Sequence, residues 1–423
     1  MRLLIKNVLV NGKKTDIYVV DDKIKRIATN IHYNVDETID GEGLTALPAF
    51  VDMHTHLREP GGERKEDIES GSMAAVHGGY SAVCCMPNTS PVVDNKCIVR
   101  YVLDRAKEVN LAKVYPIASI TKGMKGEELT NFGGLKAAGA VAVSDDGRPV
   151  VSSNTMRLAL EYAKPFDMPV LSHCEDYSIA DGGVVNEGYN ATIAGLKGIS
   201  PVAEEAIVIR EILIAESLDT RVHICHISTT NSVNLVRDAK RRGAKVTAET
   251  CPHYIALTDD EILSYDTDTK VNPPLRAERD RQAIIEGIMD GTIDAIATDH
   301  APHHRDDKAV EYNMAANGIS GIETAFSVAY THLVRTGKIS LERLSALMTR
   351  QPAEILGIPY GQLKVGGLAD ITLVDLDKHY TVDPARFFSK GKNTPFKGKE
   401  VYGEVEYTIV NGHIKYAKGE IVR

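Results

Sequence analysis

"LPAFVDMHTH", residues 47–56, is an apolar run that ends in two histidines separated by one residue. An apolar run of this length reads as a buried strand. Side chains at i and i+2 of a strand point to the same side. The spacing therefore turns His54 and His56 toward one point, as a metal site requires. H-x-H alone leaves a second reading open, in which the rings satisfy core hydrogen bonds.

Seven more segments of the same kind follow: "YSAVCCMPN" (80–88), "KVYPIASIT" (113–121), "GAVAVSDDG" (139–147), "MPVLSHCED" (168–176), "RVHICHIST" (221–229), "KVTAETCPHY" (245–254) and "DAIATDHAP" (294–302). Helix-like patterns separate them, among them "SNTMRLALEYAKPF" (153–166), "AEEAIVIREILIAES" (203–217) and "TNSVNLVRDAKRRG" (230–243). Eight strands alternating with helices predict an α/β fold, a closed (β/α)₈ TIM-like barrel. An open doubly wound sheet is the alternative. No G-x-G-x-x-G follows the first strand, which weakens its dinucleotide-binding form.

The ends read differently. Residues 5–28 are hairpin-like with a turn at Asn11-Gly12, residues 407–423 repeat the idiom at Asn411-Gly412, and residues 365–377 read as strand. Both ends together predict one small β-sandwich domain. The expected division is 1–46 and 361–423 for that domain, and 47–360 for the barrel.

The 423 residues are 43% hydrophobic and 25% charged, ordinary for a globular protein. A net charge of −9 argues against a general nucleic-acid binder. No stretch is apolar enough to span a bilayer, and Lys6 interrupts the N-terminal apolar run, unlike a signal peptide. The six cysteines form no C-x-x-C pair and read as small buried residues of a reducing cytoplasm.

In such a barrel the chemistry sits at the C-terminal strand ends. This sequence places Asp145-Asp146, His173, His226 and Asp299 there, beside His54 and His56. Imidazole with carboxylate suits zinc. Four histidines exceed the usual three protein ligands of one catalytic zinc, so a two-metal site with a shared carboxylate follows. Burying a carboxylate is costly unless it is paired. A bridging role accounts for one aspartate of the pair. Alternation says only that Asp145 and Asp146 face opposite ways.

"VDMHTHLREPG" (51–61), "MPNTSPVVD" (86–94), "SDDG" (144–147), "SHCED" (172–176), "CHIST" (225–229), "TCPHY" (250–254), "VNPPLR" (271–276) and "ATDHAPH" (297–303) together resemble the dihydroorotase family, a cyclic amidohydrolase group of the amidohydrolase superfamily. Hydantoinases, allantoinases and many dihydroorotases carry a carboxylated lysine at strand four. This chain has none there, Lys136 lying upstream, and resembles the aspartate-bridged branch.

The resemblance implies a dihydroorotase, cyclising N-carbamoyl-L-aspartate reversibly to L-dihydroorotate in pyrimidine biosynthesis. It implies two Zn²⁺ ions, one on His54, His56 and Asp146, the other on Asp146, His173 and His226. Asp299 becomes the general acid/base. Arg58, Asn88 and His303 hold the substrate carboxylate, Asn272 contacts the ring, and Asn317 and Gly318 supply backbone contacts. His300 is read as structural, His253 as a supporting residue, His304 as surface, and the long polar loop 301–318 as a lid.

Arg58 has an alternative role as a surface residue paired with Glu59 or Glu63. Two rivals for the function stay open: another cyclic amidohydrolase (hydantoinase or allantoinase), and a non-catalytic scaffold for aspartate transcarbamoylase. A homodimer and a complex of the active enzyme with that transcarbamoylase are both compatible with the resemblance, as is a cytoplasmic location.

Overall fold

The computed structural model describes residues 1–423. The eight apolar segments form eight parallel strands: β1 (Phe50–Thr55), β2 (Tyr80–Cys85), β3 (Lys113–Ala118), β4 (Ala142–Ser144), β5 (Val170–Ser172), β6 (Val222–Ile224), β7 (Val246–Thr250) and β8 (Ala295–Ile296). Each pairs with the next in chain order. The ring closes where Thr55 bridges His300 in parallel and the His56 amide donates to the His300 carbonyl at 2.8 Å. The fold is a (β/α)₈ barrel.

Alternation divides the strand residues between two cores. Val51, Met53, Ala82, Cys84, Ile117, Leu171 and Cys225 pack together in one buried cluster. Their strand neighbours Phe50, Val83, Val114, Val143, Val170 and Ile224 join the larger cluster formed with the helices. The expected helices are present at Ser153–Ala163, Val202–Ser217 and Thr230–Arg241, the first and third capped by Ser152 and Thr229. Five of the six cysteines are buried, and Cys97 is exposed.

Several strand limits differ from the sequence reading. Residues 47–56 are not one strand. Thr45–Pro48 pairs antiparallel with Ile371–Thr381, and the barrel strand begins at Phe50. The change of partner falls there because the Ala49 amide donates to Asp370 and the Phe50 amide to Gly79. The polar strand ends also stop short of the predicted lengths. The Thr298 amide donates to Asp52 Oδ1 at 3.2 Å instead of extending the β8 ladder.

Both ends of the chain enter one nine-stranded sheet. Arg2–Val10 turns into Lys13–Val20 at Asn11-Gly12, and Glu400–Val410 into His413–Ala417 at Asn411-Gly412. All four turn residues have positive φ, as a type I′ turn demands. Gly412 is also a contact between the two ends, since a Cβ there would lie 1.7 Å from the Asp21 carbonyl oxygen. Leu3, Ile17, Ile371, Leu373, Ile409 and Ile414 share one buried cluster, the interior of the β-sandwich. The strand read at 365–377 begins only at Ile371 and runs to Thr381, because Gly366 turns the chain at φ +83°. No helix is long and apolar enough to cross a membrane.

Candidate active site

The C-terminal mouth of the barrel gathers the residues that the sequence singles out. Asp146 lies at its centre, 2% exposed. Its Oδ2 is 3.3 Å from Nε2 of His54 and 3.3 Å from Nε2 of His56. Its Oδ1 is 3.3 Å from Nε2 of His226 and 3.6 Å from Nδ1 of His173. One carboxylate thus presents one oxygen to each pair of imidazoles.

Asp145 faces the other way, as alternation requires. Its Oδ1 accepts from the amides of Ile120 (2.8 Å) and Thr121 (3.0 Å), and its Oδ2 from the Thr121 hydroxyl. These bonds account for its burial without any ion. Lys136 is no rival bridge, because its ammonium donates to the carbonyls of Phe166 and Asp167.

The donor set fits divalent cations. His54 Nδ1 lies 2.6 Å from Glu249 Oε1, which places the proton on Nδ1 and leaves Nε2 a bare acceptor. That Nε2 is buried without a hydrogen-bond partner, although the Asp146 carboxylate lies 3.3 Å away. Two facing acceptors need a cation between them. The ligand atoms of His54, Asp146 and His226, and of His54, His56 and Asp299, lie within 4.8 Å of one another. With no ion between them, the carboxylates instead draw positive charge onto the rings themselves. Burial disfavours charge on His54 and His173, yet Asp146 with Glu249 holds His54 well above its ordinary value, and Asp146 with Glu175 pushes His173 up to about 10.

Asp299 adjoins the cluster, with Oδ1 3.0 Å from His56 Nε2 and 3.6 Å from His54 Nε2. Burial alone would raise its pKa. The His56 hydrogen bond and the charges of His54, His56 and His226 outweigh burial and hold the carboxyl below its usual range. Asp299 (φ 45°), His226 (φ 32°) and Arg58 (φ 61°) all occupy the left-handed region that non-glycine residues avoid. Such backbone persists only where its surroundings impose it, and it clusters at functional sites.

A cavity of about 200 Å³ opens above the cluster, lined by Arg58, Asn88, Asn272, Asn317, Gly318, His56, His173, His226, Asp146 and Asp299 among others. Arg58 is not paired with Glu59 or Glu63. Its Nε donates to the Pro302 carbonyl at 3.3 Å, and burial pushes its pKa down to about 10. Asn88 Oδ1 accepts from His56 Nδ1 at 2.9 Å, and Asn272 Nδ2 donates to Glu175 Oε2 at 3.0 Å. Gly318 has φ +146°, and a Cβ there would stand 2.6 Å from the Ala301 carbonyl oxygen.

His303 stands behind this wall. Its Nε2 donates to the Asn317 carbonyl at 2.8 Å, and its Nδ1 accepts from Lys65 Nζ at 3.2 Å. Burial and the charges of Arg58, Lys65 and Lys308 push its pKa down to about 2.

Of the remaining histidines, His300 and His304 sort as read, and His253 does not. His300 is buried against Glu66, and His304 is exposed beside Arg64 and Asp306. His253 is buried, with its pKa pushed down to about 4 by burial, and belongs to none of the ligand groups. The 301–318 loop is more firmly held than its polar sequence suggests. Lys308 is 6% exposed, and its ammonium donates to the carbonyls of Thr267 (2.9 Å), Ala316 (2.8 Å) and Lys270 (3.2 Å).

The sequence reading missed two carboxylates. Glu175 Oε2 is 3.3 Å from His173 Nε2. Glu249, fully buried, holds His54. A signal existed for both. Glu175 is two residues past His173, and Glu249 is an acid inside an apolar strand.

Known proteins place the chain. The family description "Dihydro-orotase-like" matches residues 43–232, and "Amidohydrolase family" matches residues 208–416. A dihydroorotase from Acetivibrio thermocellus is 53% identical over 399 residues, covering 94% of each chain. One from Thermoanaerobacter sp. is 52% identical over 423 residues, covering 99% of this chain and 98% of that one. Among solved structures, an L-hydantoinase (dihydropyrimidinase) from Arthrobacter aurescens superposes with a TM-score of 0.88 at 26% identity, covering 100% of this chain and 97% of that chain. Hydantoinases are thus relatives that share the architecture, while the higher identities are to dihydroorotases. Membership implies a metal cofactor, which the histidine–aspartate cluster is composed to hold. The chain belongs to the dihydroorotase family of the amidohydrolases, a family of cyclic amide hydrolases.

Proposed function

We propose that this protein is a zinc-dependent dihydroorotase that interconverts N-carbamoyl-L-aspartate and L-dihydroorotate in pyrimidine biosynthesis. The observation that carries the reading is the split of Asp146, with Oδ2 toward His54 and His56 and Oδ1 toward His226 and His173. In this reading His54, His56 and Asp146 hold one Zn²⁺, and Asp146, His173 and His226 hold the second, with no carboxylated lysine. When bound, such a pair activates water and polarises a carbonyl.

The chain's own residues supply the rest. Asp299 takes the proton from the attacking water and passes it to the leaving ring nitrogen, and runs in reverse for closure. As a carboxylate it is ionised at neutral pH, as the base in the opening direction must be. Arg58, a half-buried cation without an acid partner in hydrogen-bonding range, pairs with the substrate carboxylate. Asn88 assists it at the cavity wall, and His303 assists from behind that wall by holding the Asn317 carbonyl. Asn272 contacts the ring, and the backbone of Asn317 and Gly318 closes the opposite wall.

In this division of labour residues 47–360 carry the chemistry, except that Leu47 and Pro48 complete a strand of the supporting β domain formed by 1–46 and 361–423. The enzyme works in the cytoplasm on a small molecule, as a homodimer or beside aspartate transcarbamoylase.

The test is turnover of dihydroorotate, hydantoin and allantoin side by side, with pH varied. Ring closure converts a carboxylate and a neutral urea into a neutral imide and water, and so consumes one proton. The equilibrium will move toward dihydroorotate by about tenfold per unit fall in pH while that carboxylate is ionised. Turnover of hydantoin or allantoin in preference to dihydroorotate would refute the assignment.

A further inference from the structure

We infer that Glu249 is a positioning residue that sets the affinity of the His54/His56 metal position separately from that of its neighbour; this rests on the two-position reading of the site. Glu249 is on β7, inside the barrel and 0% exposed. A carboxylate sealed there is costly unless it is neutralised. It has two partners in reach. Its Oε1 is 2.6 Å from His54 Nδ1, and its Oε2 is 3.2 Å from His223 Nε2. His223 is itself buried, with Nδ1 2.8 Å from the Thr247 hydroxyl. Thr247, His223, Glu249 and His54 thus lie in a row inside the barrel, hydrogen-bonded at its two ends, while Glu249 Oε2 and His223 Nε2 approach at 3.2 Å without a hydrogen bond.

The row has a direction. Glu249 keeps the His54 proton on Nδ1, so the Nε2 lone pair is turned toward Asp146. Cys225 is close enough to form a third group with His54 and Glu249. That triad is no ion site, however, because 2.6 Å between His54 and Glu249 is the span of a shared proton, shorter than the roughly 3.3 Å between tetrahedral ligands about 2 Å from a metal. The other position has only a weaker equivalent, Glu175 Oε2 at 3.3 Å from His173 Nε2. His226 Nδ1 is buried with no hydrogen-bond partner. Carboxylates behind a metal-bound histidine typically contribute 10–100-fold in affinity. Here that contribution is larger at the His54/His56 position, where the carboxylate stands at 2.6 Å from its ring against 3.3 Å for Glu175.

Co²⁺ titration of the metal-free protein, followed by its visible absorption and by chelator competition, tests this on wild type, Glu249→Gln, Glu249→Asp and Asp146→Ala. Glu249→Gln is expected to weaken one of two Co²⁺ ions by about 10–100-fold and to change its spectrum, leaving the other within about threefold. Glu249→Asp keeps the charge but withdraws it by one methylene, and the same selective loss is expected. Unchanged binding and spectrum in Glu249→Gln overturn the inference, as does equal weakening of both ions. Failure of both Glu249 variants to fold, judged by circular dichroism, assigns the residue to barrel stability and also overturns it. Asp146→Ala is the separate control. If it binds Co²⁺ as wild type does, the site assignment itself fails, whatever Glu249 does.

Discussion

On the β1 side of the cluster both imidazoles are held from behind, His54 by Glu249 at 2.6 Å and His56 by Asn88 at 2.9 Å. On the β5–β6 side the support is thinner. His173 meets Glu175 at 3.3 Å near the rim, and His226 Nδ1 meets nothing. The two halves use the same ligand chemistry and share Asp146, yet only one is preorganised throughout. Fixed outer partners lock a ring's tautomer and orientation. The comparison teaches that the β1 half is the scaffold of the site and the β5–β6 half its adjustable member.

Removing the shared carboxylate has the largest expected effect. Asp146→Ala will lose metal from both halves and reduce turnover to background. Asp145→Ala will keep metal, and will instead lower stability by about 3 kcal/mol because three donors around Ile120 and Thr121 lose their buried acceptor. Elemental analysis and thermal unfolding of the two variants separate these outcomes. Equal metal loss would erase the distinction between a bridging acid and a structural one.

Asp299 sits against the β1 half. Asp299→Ala is expected to cost about 10²–10⁴ in both reaction directions, the usual share of a general acid/base, with metal content unchanged. Near-native turnover would remove it from proton transfer. Arg58→Met should leave both halves loaded and act on substrate binding. A desolvated charge pair of this kind contributes about 2–5 kcal/mol to kcat/KM, read chiefly as a raised KM. A normal KM and kcat would take Arg58 out of the pocket's function.

The smallest expected effect sharpens the comparison most. During dialysis against a chelator, the β5–β6 half should empty first. Glu175→Gln, which weakens the only support behind His173, should widen the gap in affinity between the halves by about tenfold at most. If the β1 half empties first, outer-partner support does not rank the two positions.

Much of this site is legible in the chain, and the limits are physical. The eight strands announce themselves because apolar runs alternate with helical patterns, and the ligands because strand ends converge in a barrel. The exact strand ends are not legible. Side chains distant in sequence set them, as when Asp52 takes the Thr298 amide that would have continued β8. The choice between Asp145 and Asp146 needs the positions of Ile120 and Thr121, which no local pattern gives. Loop 301–318 looks like a free polar lid. Lys308 is buried because backbone carbonyls surround its ammonium, and carbonyls leave no mark on a sequence. Glu249 was detectable by the same logic that singled out the aspartates, a costly acid in a core strand, but its partner His54 lies 195 residues away.

The most direct test of the bridging claim is anomalous scattering from crystals of the zinc-loaded protein. Two peaks about 3.5–4 Å apart are expected. One should lie against Asp146 Oδ2 with His54 and His56, the other against Oδ1 with His173 and His226. A lone peak, or a metal ligated by Asp145, would contradict the account.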